Sequence, residues 1–418
     1  MAGSNLQQVK RRRVFYIPGY DPIHPRRYRE LYRSESAEQG AISGYEVDLV
    51  GRHGAGAYGW QVTGHIDGCD TIADVDVLVW SDIVRTSMDL NIPATYLLLV
   101  RTAWTYMASG VLRRLMRLRK GPVIAALYPV GMLLLQLVLA VLVAGMAGRL
   151  TALGLHLIAG AGRIGDLAAS AGFWVVFGVL FTLTMRWFRK IDNRLYVYYL
   201  MHDYAYSAQF RGANPPPLEA RMAEFGDAIA AALDSDVDEV LVVGHSSGAH
   251  LGVSVLADLI RAGRVRPDGP ALGFLTLGQV VPMVSFLPDA SRLRADLHLL
   301  SASDALTWVD VTAPGDGCAF ALCDPVAVSG VAPESGKRWP LVVSAAFSQT
   351  LSPARWKALR WRFFRLHFQY LCAFDRPGDY DYFQITAGPK TLASRYRGRQ
   401  PSKSRIDVPV SGYTDMVL

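Results

Sequence analysis

Ser246 stands in the run Gly244-His-Ser-Ser-Gly248, a G-x-S-x-G spacing. Before it lies a short apolar, β-branched run, Leu241, Val242 and Val243; after it, Ala249 to Ile260 reads as a helix. Strand, sharp turn and helix in that order make a nucleophile elbow. The turn is so tight that a side chain at Gly244 or Gly248 would meet neighbouring backbone, and the serine between them is held strained, its hydroxyl pushed out above the sheet. The helix N-terminus behind the serine supplies N–H groups and partial positive charge where an oxyanion would form. Ser247 is expected to contribute such an N–H rather than a second nucleophile, because only Ser246 satisfies the spacing. A serine hydroxyl attacks poorly until a histidine takes its proton, and that histidine needs a carboxylate to orient it.

These residues need a scaffold. Arg12 to Ile17 reads as a strand ending in the Pro18-Gly19 turn, and Tyr28 to Arg33 as the helix that follows. Further strands are expected around Tyr58–Thr63, Val75–Val84, Ala271–Gly278, Leu306–Thr312 and Trp339–Phe347, with helices at Leu218–Leu233, Ala290–Leu300 and Ser352–Phe374. Strands alternating with helices point to an α/β fold with a mostly parallel sheet.

The remaining bulk is unusually apolar. Among 418 residues, 51% are hydrophobic, which invites a search for membrane spans. Pro122 to Ala147 carries no charge and is longer than the roughly 20 residues that cross a bilayer. A second apolar segment runs from Ala168 to Trp187, and Thr151–Gly162 between them is apolar and glycine-containing. Basic residues flank the outer ends of the pair, Arg113 to Lys120 and Arg186 to Arg194, while only Arg149 and Arg163 lie between. The positive-inside rule then puts both outer ends in the cytoplasm. The expected organisation is residues 1–120 and 190–418 as one discontinuous domain, interrupted by a two-helix transmembrane hairpin at 121–189. The net charge of +7 clusters beside these apolar segments, so an anionic bilayer is the expected partner rather than nucleic acid. Met1 to Arg13 is polar and then basic with no apolar signal core, and the four cysteines show no paired spacing; a reducing compartment is the simpler expectation.

On the elbow and its flanking elements the chain resembles the α/β-hydrolase superfamily, the esterases and lipases among serine hydrolases, here with an inserted hairpin. The resemblance implies an order of parts: nucleophile, acid, histidine. It places the acid after the second strand beyond the elbow, where Asp316 lies in the turn Pro314-Gly-Asp-Gly317. Asp310, inside the strand, is the alternative, and Asp324 a third. The base follows the last strand, and His367 is the one histidine beyond residue 298. Gly19 and Tyr20 would complete the oxyanion hole with Ser247; a simple strand-terminating turn is the other reading of Pro18-Gly19. His245 and His250 are expected to be packing neighbours, and His24, His53, His65, His156, His202 and His298 form no constellation. No metal or nucleotide motif is present, so no cofactor is expected. The implied activity is cleavage of lipid-like carboxylic esters through an acyl-enzyme. Acyl transfer to another acceptor would use the same residues, and a non-catalytic membrane scaffold that keeps the fold is the contrasting expectation.

Overall fold

The computed structural model describes residues 8–52, 58–160 and 162–417, so His53 and the first seven residues lie outside the description. Among the described residues, strands β1 (Arg11–Ile17), β2 (Glu46–Gly51), β3 (Gly59–Ile66), β4 (Cys69–Val77), β5 (Glu239–His245), β6 (Ala271–Leu277), β7 (Thr307–Thr312) and β8 (Leu341–Ser344) form one sheet in the order β2-β3-β4-β1-β5-β6-β7-β8. The pairs β2·β3 and β3·β4 are antiparallel; every pairing from β4 to β8 is parallel. The fold is α/β with a mostly parallel sheet.

The apolar run before the elbow explains the centre of this sheet. All seven residues of β5 are buried, as a parallel strand covered on both faces requires. One face, through Val14, Tyr16, Leu241, Val243, Leu275 and Leu277, packs under Tyr28 and Tyr32 of helix Arg26–Ser43 and under Leu366, Tyr370, Tyr382 and Phe383 of the C-terminal segments. The other face meets the elbow helix, Gly248–Arg261, where a Cβ on Gly252 would lie 2.7 Å from the Phe274 ring. β5 is tied to β1 at its start by Arg12 and Glu239, an ion pair at 2.6 Å with both side chains almost wholly buried.

Two sequence expectations need correction. The strand drawn through Val84 is β4, which ends at Val77; Ser81–Met88 is helical. The neighbouring β1 runs into Pro18, which has no N–H to continue the ladder, and Trp80 is buried with its Nε1 donating to the Pro18 carbonyl at 3.0 Å. The helix expected over Ser352–Phe374 is broken into Pro353–Leu359, Phe363–His367 and a 3₁₀ turn at Gln369–Leu371. Trp356 and Phe363 bend it by lying against Gly315 and Gly317. The edge strand β2, with alternating half-buried and exposed residues, carries no apolar run and escapes a hydrophobicity reading.

The chain divides into two compact units. The sheet belongs to Met1–Thr86, Thr105–Val123 and Phe210–Leu418; the second unit is Ser87–Trp104 with Ile124–Gln209. The boundaries expected at 120 and 190 differ from these, because helix Val197–Ala208 packs Val197, Tyr198, Met201 and Ala205 on Leu99 and Leu133 within the second unit. Helices Lys120–Ala159 and Arg163–Lys190 are long and apolar enough to cross a membrane. The first continues through the Thr151–Ala159 stretch. They approach closely where glycine permits it, Gly148 beside Phe173 and Gly172 beside Leu155, as small residues allow between membrane helices.

Candidate active site

Ser246 leaves β5 at φ 55°, a left-handed conformation that costs a non-glycine residue about 1–3 kcal/mol. The surrounding backbone holds it there: its N–H donates to the Leu277 carbonyl at 2.9 Å, and the Ala249 N–H bonds its carbonyl at 3.1 Å. Both glycines are sterically required. A Cβ on Gly248 would lie 2.1 Å from the Ile17 carbonyl oxygen, and one on Gly244 would lie 2.7 Å from the Gly248 carbonyl oxygen. The Pro18-Gly19-Tyr20 turn runs directly beside the nucleophile, since a Cβ on Gly19 would sit 3.0 Å from Ser246 Cβ. Ser247, the N-cap of the elbow helix, is half-buried at the end whose first N–H groups have no intrahelical acceptor.

Asp316 and His367 meet. His367 Nδ1 and Asp316 Oδ2 are 2.7 Å apart, both side chains nearly excluded from solvent. Asp316 accepts two further bonds, from the Cys318 N–H to Oδ1 at 2.9 Å and from the Tyr370 hydroxyl to Oδ2 at 3.1 Å. Burial pushes the Asp316 pKa up, but the His367 charge and hydrogen bond, the Cys318 N–H and the Tyr370 hydroxyl together outweigh it and hold the carboxyl below its ordinary range. The Tyr370 hydroxyl itself accepts the Ala313 N–H at 3.0 Å, which fixes it as a donor toward the acid. The His367 ring also lies against Gly278, the residue after the Leu277 carbonyl that anchors Ser246, where a Cβ would be 3.1 Å from its Cε1. His367 and Ser246 therefore both lie at the C-terminal end of β6.

His245 was expected to be a neighbour in the elbow's variable position. It does more: its Nε2 lies 2.9 Å from the His367 carbonyl, an acceptor only, so Nε2 carries the proton. Burial, followed by the neighbouring His367, holds the His245 pKa down to about 3, so this ring stays neutral. His367 is thus held by Asp316 at its ring and by His245 at its backbone. His250, fully buried on the elbow helix, is likewise kept neutral by burial, its pKa near 4.

The other two carboxylates are committed elsewhere. Asp324 caps helix Pro325–Val328 through the N–H groups of Val326 and Ala327 and pairs with Lys337 at 2.5 Å. Asp310 is sealed inside the sheet, accepting from Thr276 Oγ1 at 2.6 Å, and burial pushes its pKa up to about 8. The raised value means that the protonated form favours folding, a contribution present at low pH and lost as pH rises from about 4 to about 8. Asp310→Asn is therefore expected to keep turnover and to flatten the decline of thermal stability over that interval. A loss of turnover as large as that of Asp316→Asn would return Asp310 to the site.

Asp316, Cys318 and His367 also offer ligand atoms within 4.8 Å of one another, a set that could hold a metal ion. In this arrangement Asp316 Oδ2 and His367 Nδ1 are bonded to each other, so a metal taking those two atoms would have to displace that bond. Tyr370 is a partner with no role assigned to it from the sequence; it lies three residues after His367, about one helical turn, and that spacing is its signal. Comparisons with protein-family models, with curated proteins and with solved structures give no match.

Proposed function

We propose that the chain is a membrane-anchored serine hydrolase of the α/β-hydrolase type that cleaves lipid-like carboxylic esters. The observation that carries this reading is the bonded pair Asp316–His367 beside a serine in positive φ on a strand–turn–helix. In the reaction Ser246 Oγ attacks the ester carbonyl while the ring nitrogen of His367 that faces away from Asp316 takes its proton. The ionised Asp316 stabilises the imidazolium, and the N–H groups of Ser247 and of the Gly19-Tyr20 turn receive the oxyanion. His367 then protonates the departing alkoxide; a water, deprotonated by the same ring, attacks the acyl carbon, and the ring returns that proton to Ser246 Oγ as the acid leaves.

The two apolar helices would form a transmembrane hairpin, with the sheet unit on the cytosolic side where the basic flanks lie. A hydrolase tethered to a bilayer meets long-chain esters at high local concentration, which supports a lipid-like substrate over a short soluble one. Full-length protein in anionic vesicles is expected to turn over long-chain esters faster than a short soluble ester. Best turnover of the short ester would leave the helices as an anchor only. A cysteine introduced by Gly398→Cys should stay unlabelled by an impermeant reagent outside intact cells; labelling there would reverse the proposed orientation.

A further inference from the structure

The segment that delivers His367 has an outer surface that the proposed chemistry does not use. From Pro353 to Phe374 the chain holds no acidic residue. Lys357, Arg360, Arg362 and Arg365 are all exposed, and none of the four is in an ion pair among the described residues. Among them Trp361 is 73% exposed and Phe363 49% exposed, the largest exposed rings of the sheet unit. The Arg360 guanidinium sits 5.6 Å from the Trp361 ring centroid. Four cations without a carboxylate partner among the described residues, around two largely exposed aromatic rings, leave apolar ring surface in water and an unanswered positive potential.

We infer that the surface formed by residues 357–365 docks on an anionic lipid bilayer. Charge complementarity selects the partner: cations near an anionic leaflet are each attracted to it, and indole and phenyl rings settle at the headgroup level. The same chain carries two helices long and apolar enough to cross a membrane. The docked patch is mechanically continuous with the site. Trp356 packs on Gly315, Phe363 packs on Gly317, and Asp316 lies between those two glycines; His367 ends the short helix that Phe363 begins. Lipid contact would therefore steady the acid turn and the base together. This inference rests on the bilayer placement proposed above but not on the serine chemistry.

The test is hydrogen exchange on the full-length protein in nanodiscs of phosphatidylcholine alone and of phosphatidylcholine with phosphatidylglycerol. Peptides covering 357–365 are expected to exchange at least about tenfold more slowly in the anionic discs. The variant R360Q/W361S/F363S should abolish the difference while peptides of β5 keep wild-type protection, showing that the fold is intact. Equal exchange in both discs overturns the inference, as does protection that arises only when an RNA oligonucleotide is added, which would make the patch a nucleic-acid surface. Labelling of Ser246 by a fluorophosphonate, run on the same samples, reports separately on the hydrolase. Protection without labelling would support docking and remove the serine chemistry instead.

Discussion

Ser246→Ala and His367→Ala are each expected to reduce turnover by about four to six orders of magnitude, and the double variant by scarcely more than either alone. In the proposed reaction the two groups act as a unit: without the imidazole the hydroxyl keeps its proton, and without the hydroxyl the imidazole has nothing to activate. Ser246 is half-buried and its side chain contributes little packing, so Ser246→Ala should fold as well as the parent and relieve no backbone strain, since alanine at φ 55° is as uncomfortable as serine. His367 is buried against Gly278 and His245, so its replacement could cost stability; His367→Gln, which keeps a side-chain amide opposite Asp316, separates the two effects. A folded His367→Gln protein with parental turnover would exclude His367 as the base.

The second large effect is on stability. Glu239 stands at the entrance of β5, where Oε2 accepts from Arg12 Nε at 2.6 Å and Oε1 from the Leu392 N–H at 2.7 Å. Arg12 spends its remaining donors on the carbonyls of Gly388 and Lys390, at 2.8 and 2.6 Å. This buried pair thus fastens β1, β5 and the C-terminal segment at one point. Glu239→Ala leaves a buried guanidinium without its counter-charge and should cost about 3–5 kcal/mol, a fall of about 10 °C in the midpoint of thermal unfolding. Replacing both residues by apolar side chains of similar volume should recover most of that loss, because no charge is then stranded. If Glu239→Ala melts with the parent, the pair does not hold the strands together.

How far the chain could be read in advance follows from which signals are local. The elbow was legible because strand, glycines, serine and helix are contiguous, and β5 and β6 because buried parallel strands are written as largely apolar runs. Asp316 and His367 were reached through the order of parts that the resemblance to the α/β-hydrolase superfamily implies. That they touch depends on Trp356 and Phe363 folding the supposed long helix back over Gly315 and Gly317, a tertiary contact with no periodicity to announce it. β2 was missed for a related reason: an edge strand with Glu46, Asp48 and an exposed Val50, only Val47, Leu49 and Gly51 being half-buried, looks like a loop until β3 pairs with it. The role of His245 was hidden because its acceptor is a backbone carbonyl 122 residues away. Asp310 stays an alternative on sequence alone; its burial in β7 and its bond to Thr276 are what commit it to the sheet.

The central claim is that Ser246 is a nucleophile activated by His367 and Asp316. It is tested most directly by treating the full-length protein with a fluorophosphonate and locating the adduct by peptide mass spectrometry. The account predicts one modified residue, Ser246, with labelling lost in Ser246→Ala and strongly slowed in His367→Gln, while the rate in Asp310→Asn stays at the parental value. Absence of an adduct from the folded parent protein, or an adduct on Ser247 that persists in Ser246→Ala, would contradict it.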